Sequence, residues 1–257
     1  MMGLLVDVTK CTGCERCVAA CVEANGLDPR RAERDRATVA DGLSAERLLS
    51  LVEVDGRYAR KSCMHCLEPA CVSACLVGGI TKTPEGPVVY DPEKCIGCRY
   101  CMLACPFQVP RYEWDETAPF MRKCAGCFER VAAGAVPACV DACPNDALEF
   151  GPRQRLLDEA HGRIARHPGR YLPRVWGEHE LGGTSVLYVS DVELTALGWP
   201  EDTVSIPSLT QPLIEKTPAI GLSVAGCLLG VNWVIRRRMQ LAAQNGDAPE
   251  GGEHGHD

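Results

Sequence analysis

Several apolar patterns follow one another along the chain. Leu51 to Val54 and Pro87 to Tyr90 are short runs, the second bounded by Gly86 and Asp91, and both predict strands of small hairpins. From Arg153 to Arg166, Leu156, Leu157, Ala160 and Ile164 recur at helical spacing, which predicts an amphipathic helix, and Gly182 to Val192, centred on Thr184 to Ser190, reads as a strand. The connection from Pro29 to Arg60 is dominated by Arg, Asp and Glu and predicts an elaborated surface loop suited to partner contact. The longest apolar stretch, Pro218 to Ile235, has eighteen residues without a charge. As a helix it spans about 27 Å, near the thickness of a bilayer core.

That stretch ends in Trp233 and Arg236, Arg237 and Arg238, which favours a membrane helix over a buried soluble one. Ala219, Ser223, Gly226 and Gly230 form a stripe of small residues suited to close packing on another membrane helix. Three arginines after the helix, against Lys216 just before it, predict a cytoplasmic tail and an outer, periplasmic side for the rest of the chain. The opening MMGLLVDVTK reads as no signal peptide, so export attached to a partner with a twin-arginine signal is the expected route. The tail from Gln240 to Asp257 is polar and predicted disordered; His254 and His256 are weaker candidates for a metal.

Composition changes the picture. The 257 residues include only 4 Phe, 4 Trp and 6 Tyr, too few for an ordinary aromatic core, but 17 Cys. A net charge of −7 carries no basic footprint for nucleic acid. Sixteen of the cysteines fall in four groups of four, and Cys227 stands alone in the apolar stretch, where it reads as a small buried side chain.

Cys11, Cys14, Cys17 and Cys21 form C-x2-C-x2-C-x3-C, and Cys95, Cys98, Cys101 and Cys105 repeat it with Pro106 attached. This is the bacterial ferredoxin run: three close thiolates hold three corners of a 4Fe-4S cube and the fourth serves another cube. Gly13 and Gly97 allow the tight turn between the first two ligands. Cys63, Cys66, Cys71 and Cys75, and Cys124, Cys127, Cys139 and Cys143, keep the outer spacings and lengthen the middle. Zinc sites use two C-x2-C pairs and rarely carry this third and fourth cysteine, so four runs predict four 4Fe-4S clusters.

The second and third runs are close in sequence and predict a module inserted into the one formed by the first and fourth. The expected ligand sets are then Cys11, Cys14, Cys17 with Cys143; Cys124, Cys127, Cys139 with Cys21; Cys63, Cys66, Cys71 with Cys105; and Cys95, Cys98, Cys101 with Cys75. Each cube replaces part of a hydrophobic core. Sixteen thiolates around four cores of about +2 take the formal charge from −7 to roughly −15. Lys10, Lys94 and Lys123, each just before a first cysteine, either offset that charge or are solvated loop residues. His65 either tunes a cluster or holds a plain loop position, with the plain position favoured. Neither a nucleophile–base motif nor a nucleotide-binding glycine loop is present, so the chain by itself reads as non-catalytic.

The blocks at 6–14, 63–66, 105–111, 137–144 and 177–184, together with a single C-terminal membrane helix, resemble the iron–sulfur subunits of the dimethyl-sulfoxide-reductase type, as anchored in respiratory formate dehydrogenases and nickel–iron hydrogenases. Val22 and Leu76 depart from the pattern, standing where Pro106 and Pro144 follow the other fourth cysteines. The resemblance implies an α+β fold of two ferredoxin-like modules, one inserted in the other, and a C-terminal transmembrane helix. The expected divisions are 1–152 for the double module, with the insert at about 62–110, 153–212 for an extension, 213–240 for the membrane helix and 241–257 for the tail. It further implies an electron relay between a catalytic oxidoreductase subunit and a quinone-reactive membrane subunit. Arg99 to Met102 and the histidine-containing tail lean toward hydrogenase over formate dehydrogenase. A free membrane-anchored carrier and a structural anchor with redox-silent clusters are the other readings.

Overall fold

The computed structural model describes residues 1–117 and 119–244. Strand β1 (Met2–Asp7) is apolar on both faces because it is covered on both. Leu4 and Val6 enter the main core with Cys17, Cys21 and Tyr188, whereas Leu5 points the other way, to a second core with Leu156, Leu157 and Ala160. Asp7 ends the strand, accepts from Thr9 N at 3.1 Å and so starts the short turn that delivers Cys11. Helix α1 (Arg16–Ala24) then carries Cys17 and Cys21 on its buried face.

The segment expected as a loop instead begins with a helix, α2 (Pro29–Thr38), because Asp28 caps Arg30 N at 2.9 Å and Pro29 occupies the first turn. Its nearly uniform polarity hid it from periodicity. The hairpin β2 (Ser50–Val54) and β3 (Arg57–Lys61) follows, in register from Ser50 opposite Lys61.

Next come α3 (Ala70–Ser73), the hairpin β4 (Ile80–Lys82) and β5 (Val88–Tyr90), α4 (Tyr100–Leu103), and the hairpin β6 (Arg111–Tyr112) and β7 (Met121–Arg122). Ile80, Val88, Cys101, Tyr112 and Met121 form a separate small core here, and α3 packs on α4. Beyond it, α5 (Phe128–Ala132) and α6 (Ala138–Asp141) bear the fourth run, with α6 packed on α1.

Strand β8 (Leu148–Pro152) returns antiparallel to β1, and helix α7 (Arg153–Arg166) occupies the span expected from its spacing. Strand β9 (Val186–Val189) completes the sheet parallel to β1, giving the order β8–β1–β9. The scarce aromatics are concentrated beside it: Trp199 stacks edge-on with Tyr188 at 4.9 Å, Phe107 at 6.2 Å and Trp176 at 6.4 Å.

These elements lie within Met1–Leu209, one of two units into which the chain divides. Helix α8 (Ile206–Gln244) starts before the boundary and supplies the described part of the other. It includes Pro212 and Pro218, and its apolar side chains, among them Leu222, Leu229 and Trp233, are exposed. Cys227 is exposed on it too, which corrects its reading as a buried side chain. Among the described residues α8 is the one helix long and apolar enough to cross a membrane. His254 and His256 lie outside the described residues.

Candidate metal centres

The four runs open with one recurring turn. In the first, third and fourth, the residue before the second cysteine is Gly13, Gly97 or Gly126, at φ 70°, 71° and 69°. This left-handed geometry suits glycine and brings two sulfurs to the same side. In the second run the same position holds His65 at φ 49°. A left-handed conformation costs a residue with a Cβ roughly 1–2 kcal/mol, so specific contacts must hold this histidine in place. Its Nδ1 accepts from Val88 N at 2.9 Å, which leaves the other ring nitrogen as the donor. The ring is 6% exposed and Nε2 has no partner. Burial, then the charges of Lys123, Lys82 and Arg60, hold His65 well below the usual histidine range, hence neutral. The plain loop position expected for it is thus corrected.

Cys11, Cys14 and Cys17 line one cavity with Cys143, and Cys124, Cys127 and Cys139 line another with Cys21. Cys66 is pushed well up by burial and then by Cys63, Cys105 and Cys71, which makes those four neighbours. Burial also raises Cys101; a Tyr112 hydrogen bond and the Met102 amide oppose the shift, and Cys95 and Cys75 add to it. Tyr112 in turn feels Cys101, Cys95 and Cys98, so the remaining set stands together. Backbone amides point at sulfur in three runs: Gly79 N to Cys75 at 3.2 Å, Gly97 N to Cys95 at 3.4 Å and Gly126 N to Cys124 at 3.3 Å.

The residues fit 4Fe-4S clusters. Burial pushes the Cys17 and Cys71 thiols up to about 12, so thiolates in these places need a cationic core beside them. Among the described residues no three His, Cys, Asp or Glu side chains converge as they would on a single metal ion. The sulfurs of the two outer sets stand around cavities, as a polynuclear core requires. Three buried polar atoms without partners belong to residues lining those cavities: His65 Nε2 at the Cys21 and Cys124 cavity, and Arg60 Nε and Nη1 on β3.

Arg60 escaped the sequence reading. Its only signal was alternation, since Tyr58 and Arg60 share one face of β3. The three lysines differ from one another. Lys123 is buried, with Nζ donating to the carbonyls of Val88 and Cys124; Lys10 donates to Asp146 O at 3.3 Å; Lys94 pairs with Asp91 at 3.0 Å on the surface.

Turns, amide-to-sulfur bonds and sulfur-lined cavities define an iron–sulfur protein of the 4Fe-4S class. A 4Fe-4S dicluster domain family matches residues 54–153. Hydrogenase-2 operon protein HybA of Escherichia coli O157:H7 is 32% identical over 92% of this chain and 84% of its own length. A protein of Nitratidesulfovibrio vulgaris is 41% identical over 94% of this chain and 69% of its own. A polypeptide of the anaerobic dimethyl sulfoxide reductase of Escherichia coli (strain K12) is 41% identical over 63% of this chain and 78% of its own. The chain belongs to the iron–sulfur subunit family of the dimethyl-sulfoxide-reductase type, the electron-transfer subunits of respiratory oxidoreductases.

Proposed function

We propose that the chain holds four 4Fe-4S clusters on its sixteen clustered cysteines, in the nested pairing, and relays electrons between a nickel–iron hydrogenase subunit and a quinone-reactive membrane subunit. The observation that carries the proposal is the continuity of the four sulfur groups. Arg60 lines the cavities of the first and second, and His65 on the loop of the third also lines the second. Cys71 of the third group feels the charge of Cys101 in the fourth. Cys14 and Cys98, in the two terminal groups, are exposed and offer places for an electron to enter and leave.

Bound clusters supply one-electron chemistry. The chain's part is to hold them in sequence, exclude water from the middle of the row and set potentials through amide hydrogen bonds and fixed charge. The sheet β8–β1–β9 and α7 form the wall behind the first two groups. The likeness to iron–sulfur electron-transfer subunits supports a non-catalytic role, with the partner doing the substrate chemistry. Helix α8 serves as its membrane anchor, and the three arginines Arg236 to Arg238 after the apolar stretch support a cytoplasmic tail and a periplasmic cluster-bearing part.

Hydrogenase is favoured because the similarity to HybA runs over 92% of the chain. The same relay in a formate dehydrogenase is the second reading, supported by the iron-sulfur subunit of the nitrate-inducible enzyme of Escherichia coli (strain K12), 35% identical over 72% of the chain. Elemental analysis of the complex purified intact from native membranes decides between them. Nickel alongside iron is the expected result; molybdenum or tungsten would move the subunit to a pterin complex, and iron alone would favour the free carrier.

A further inference from the structure

Arg60 presents an unusual electrostatic situation. It is 3% exposed, and among the described residues no carboxylate forms an ion pair with it. Its Nε and Nη1 have no hydrogen-bond partner. Its backbone carbonyl is fixed by Tyr188 Oη, donating at 2.8 Å from the sheet. A buried guanidinium left unpaired is strongly destabilising, so its compensation has to come from the charges it faces. Those are sulfurs. The side chain lines the cavity of Cys11, Cys14, Cys17 and Cys143 on one side and that of Cys21, Cys124, Cys127 and Cys139 on the other. A guanidinium keeps its proton at any pH the folded protein meets. It is a permanent cation.

We propose that Arg60 is a shared counter-charge between the two clusters of the outer module and raises the reduction potential of both above what the sulfur cages alone would give. The inference rests on the four-cluster reading above. Each cluster that accepts one electron from its neighbour gains one negative charge, while Arg60 neither gains nor loses a proton. The reduced form is therefore stabilised on either side of the same guanidinium. The two reductions also oppose each other directly, because each adds a negative charge near the other. A unit charge a few ångströms away in a protein interior shifts such an equilibrium by tenfold or more, and tenfold is 59 mV for a one-electron couple. The inserted module has other cations beside its sulfurs: Cys71 feels Lys123, and Lys82 feels Cys66 and Cys63.

The test is Arg60→Gln and Arg60→Lys in the intact membrane complex, with iron content measured in each and potentials read by EPR-monitored redox titration. Expected is a fall of tenfold or more in the reduction equilibria of two clusters in Arg60→Gln, the other two unmoved, and a smaller change in Arg60→Lys. Unchanged potentials in a cluster-replete Arg60→Gln protein, or an equal shift of all four, would overturn the proposal. If both variants lose clusters, the wild-type complex labelled with ¹⁵N-arginine decides by pulsed EPR. Nitrogen coupling to two distinct cluster signals upholds the shared charge, and coupling to one or none overturns it. A wild-type complex that lacks four clusters would defeat the underlying reading instead, and the iron count separates that case.

Discussion

Replacing Cys143 by alanine tests the nested pairing where the two ends of the outer module meet. Cys143 belongs to the fourth run by sequence, but its side chain lines the cavity of Cys11, Cys14 and Cys17, while Cys21 of the first run lines that of Cys124, Cys127 and Cys139. A cube that loses one of four thiolates is the one that fails, so about four of about sixteen irons, a quarter, are expected to go. The identity of the lost cluster carries the information. Cys143→Ala and Cys14→Ala are expected to abolish one EPR signal of the reduced complex, and Cys21→Ala and Cys127→Ala a different one. Cys227→Ser, on α8 and outside every run in the sequence, leaves both signals and the iron content unchanged. The reasoning is refuted if Cys143→Ala removes the same signal as Cys127→Ala, because each run would then be feeding its own cube.

Gly177 sits at φ 89°, where an added Cβ would lie 2.3 Å from Val186 O and 2.5 Å from Thr184 Oγ1. Gly177→Ala is therefore expected to cost about 1–3 kcal/mol and to lower the thermal midpoint followed by circular dichroism; a fall of less than about 2 °C would contradict this. Asp41 pins the connection before β2 to Lys61 at 3.0 Å and to Arg111 at 2.6 Å. Burial alone would raise its carboxyl, but Lys61 and Arg111 outweigh burial and hold it below the usual range. A depressed carboxyl contributes stability above the unfolded value near 3.9 and loses it as pH falls through the folded value. Asp41→Asn should thus cost about 1–3 kcal/mol in denaturant titrations at pH 7. The gap from wild type should close toward pH 3, and a gap of constant size would count against this account.

Much of the site was written in spacing. C-x2-C-x2-C-x3-C needs no tertiary context to be read, and Gly13 and Gly97 take the turn that the chemistry demands. Val22 in place of proline lets α1 run on to Ala24, whereas Leu76 does not prevent the turn at Gly78, at φ 65°. The helix over 153–166 and the strand around Val186 were legible because both carry apolar residues at the period of their element. Helix α2 was not, since its signal is a cap at Asp28 instead of a buried stripe.

His65 and Arg60 mark the same boundary. Each looks locally like an ordinary polar residue near a cysteine, and His65 even occupies a glycine's conformation. The sequence alone determined the ligand chemistry, the repeat of the turn and one apolar helix, because these depend on residue types at fixed short separations. The order of the runs already suggested which fourth cysteine joins which set, but which lysine is buried and which cation lines two sulfur cavities were decided by the tertiary structure. Those features arise where β1, α1, β3 and α6 are brought together from distant parts of the chain, and no local pattern encodes that meeting.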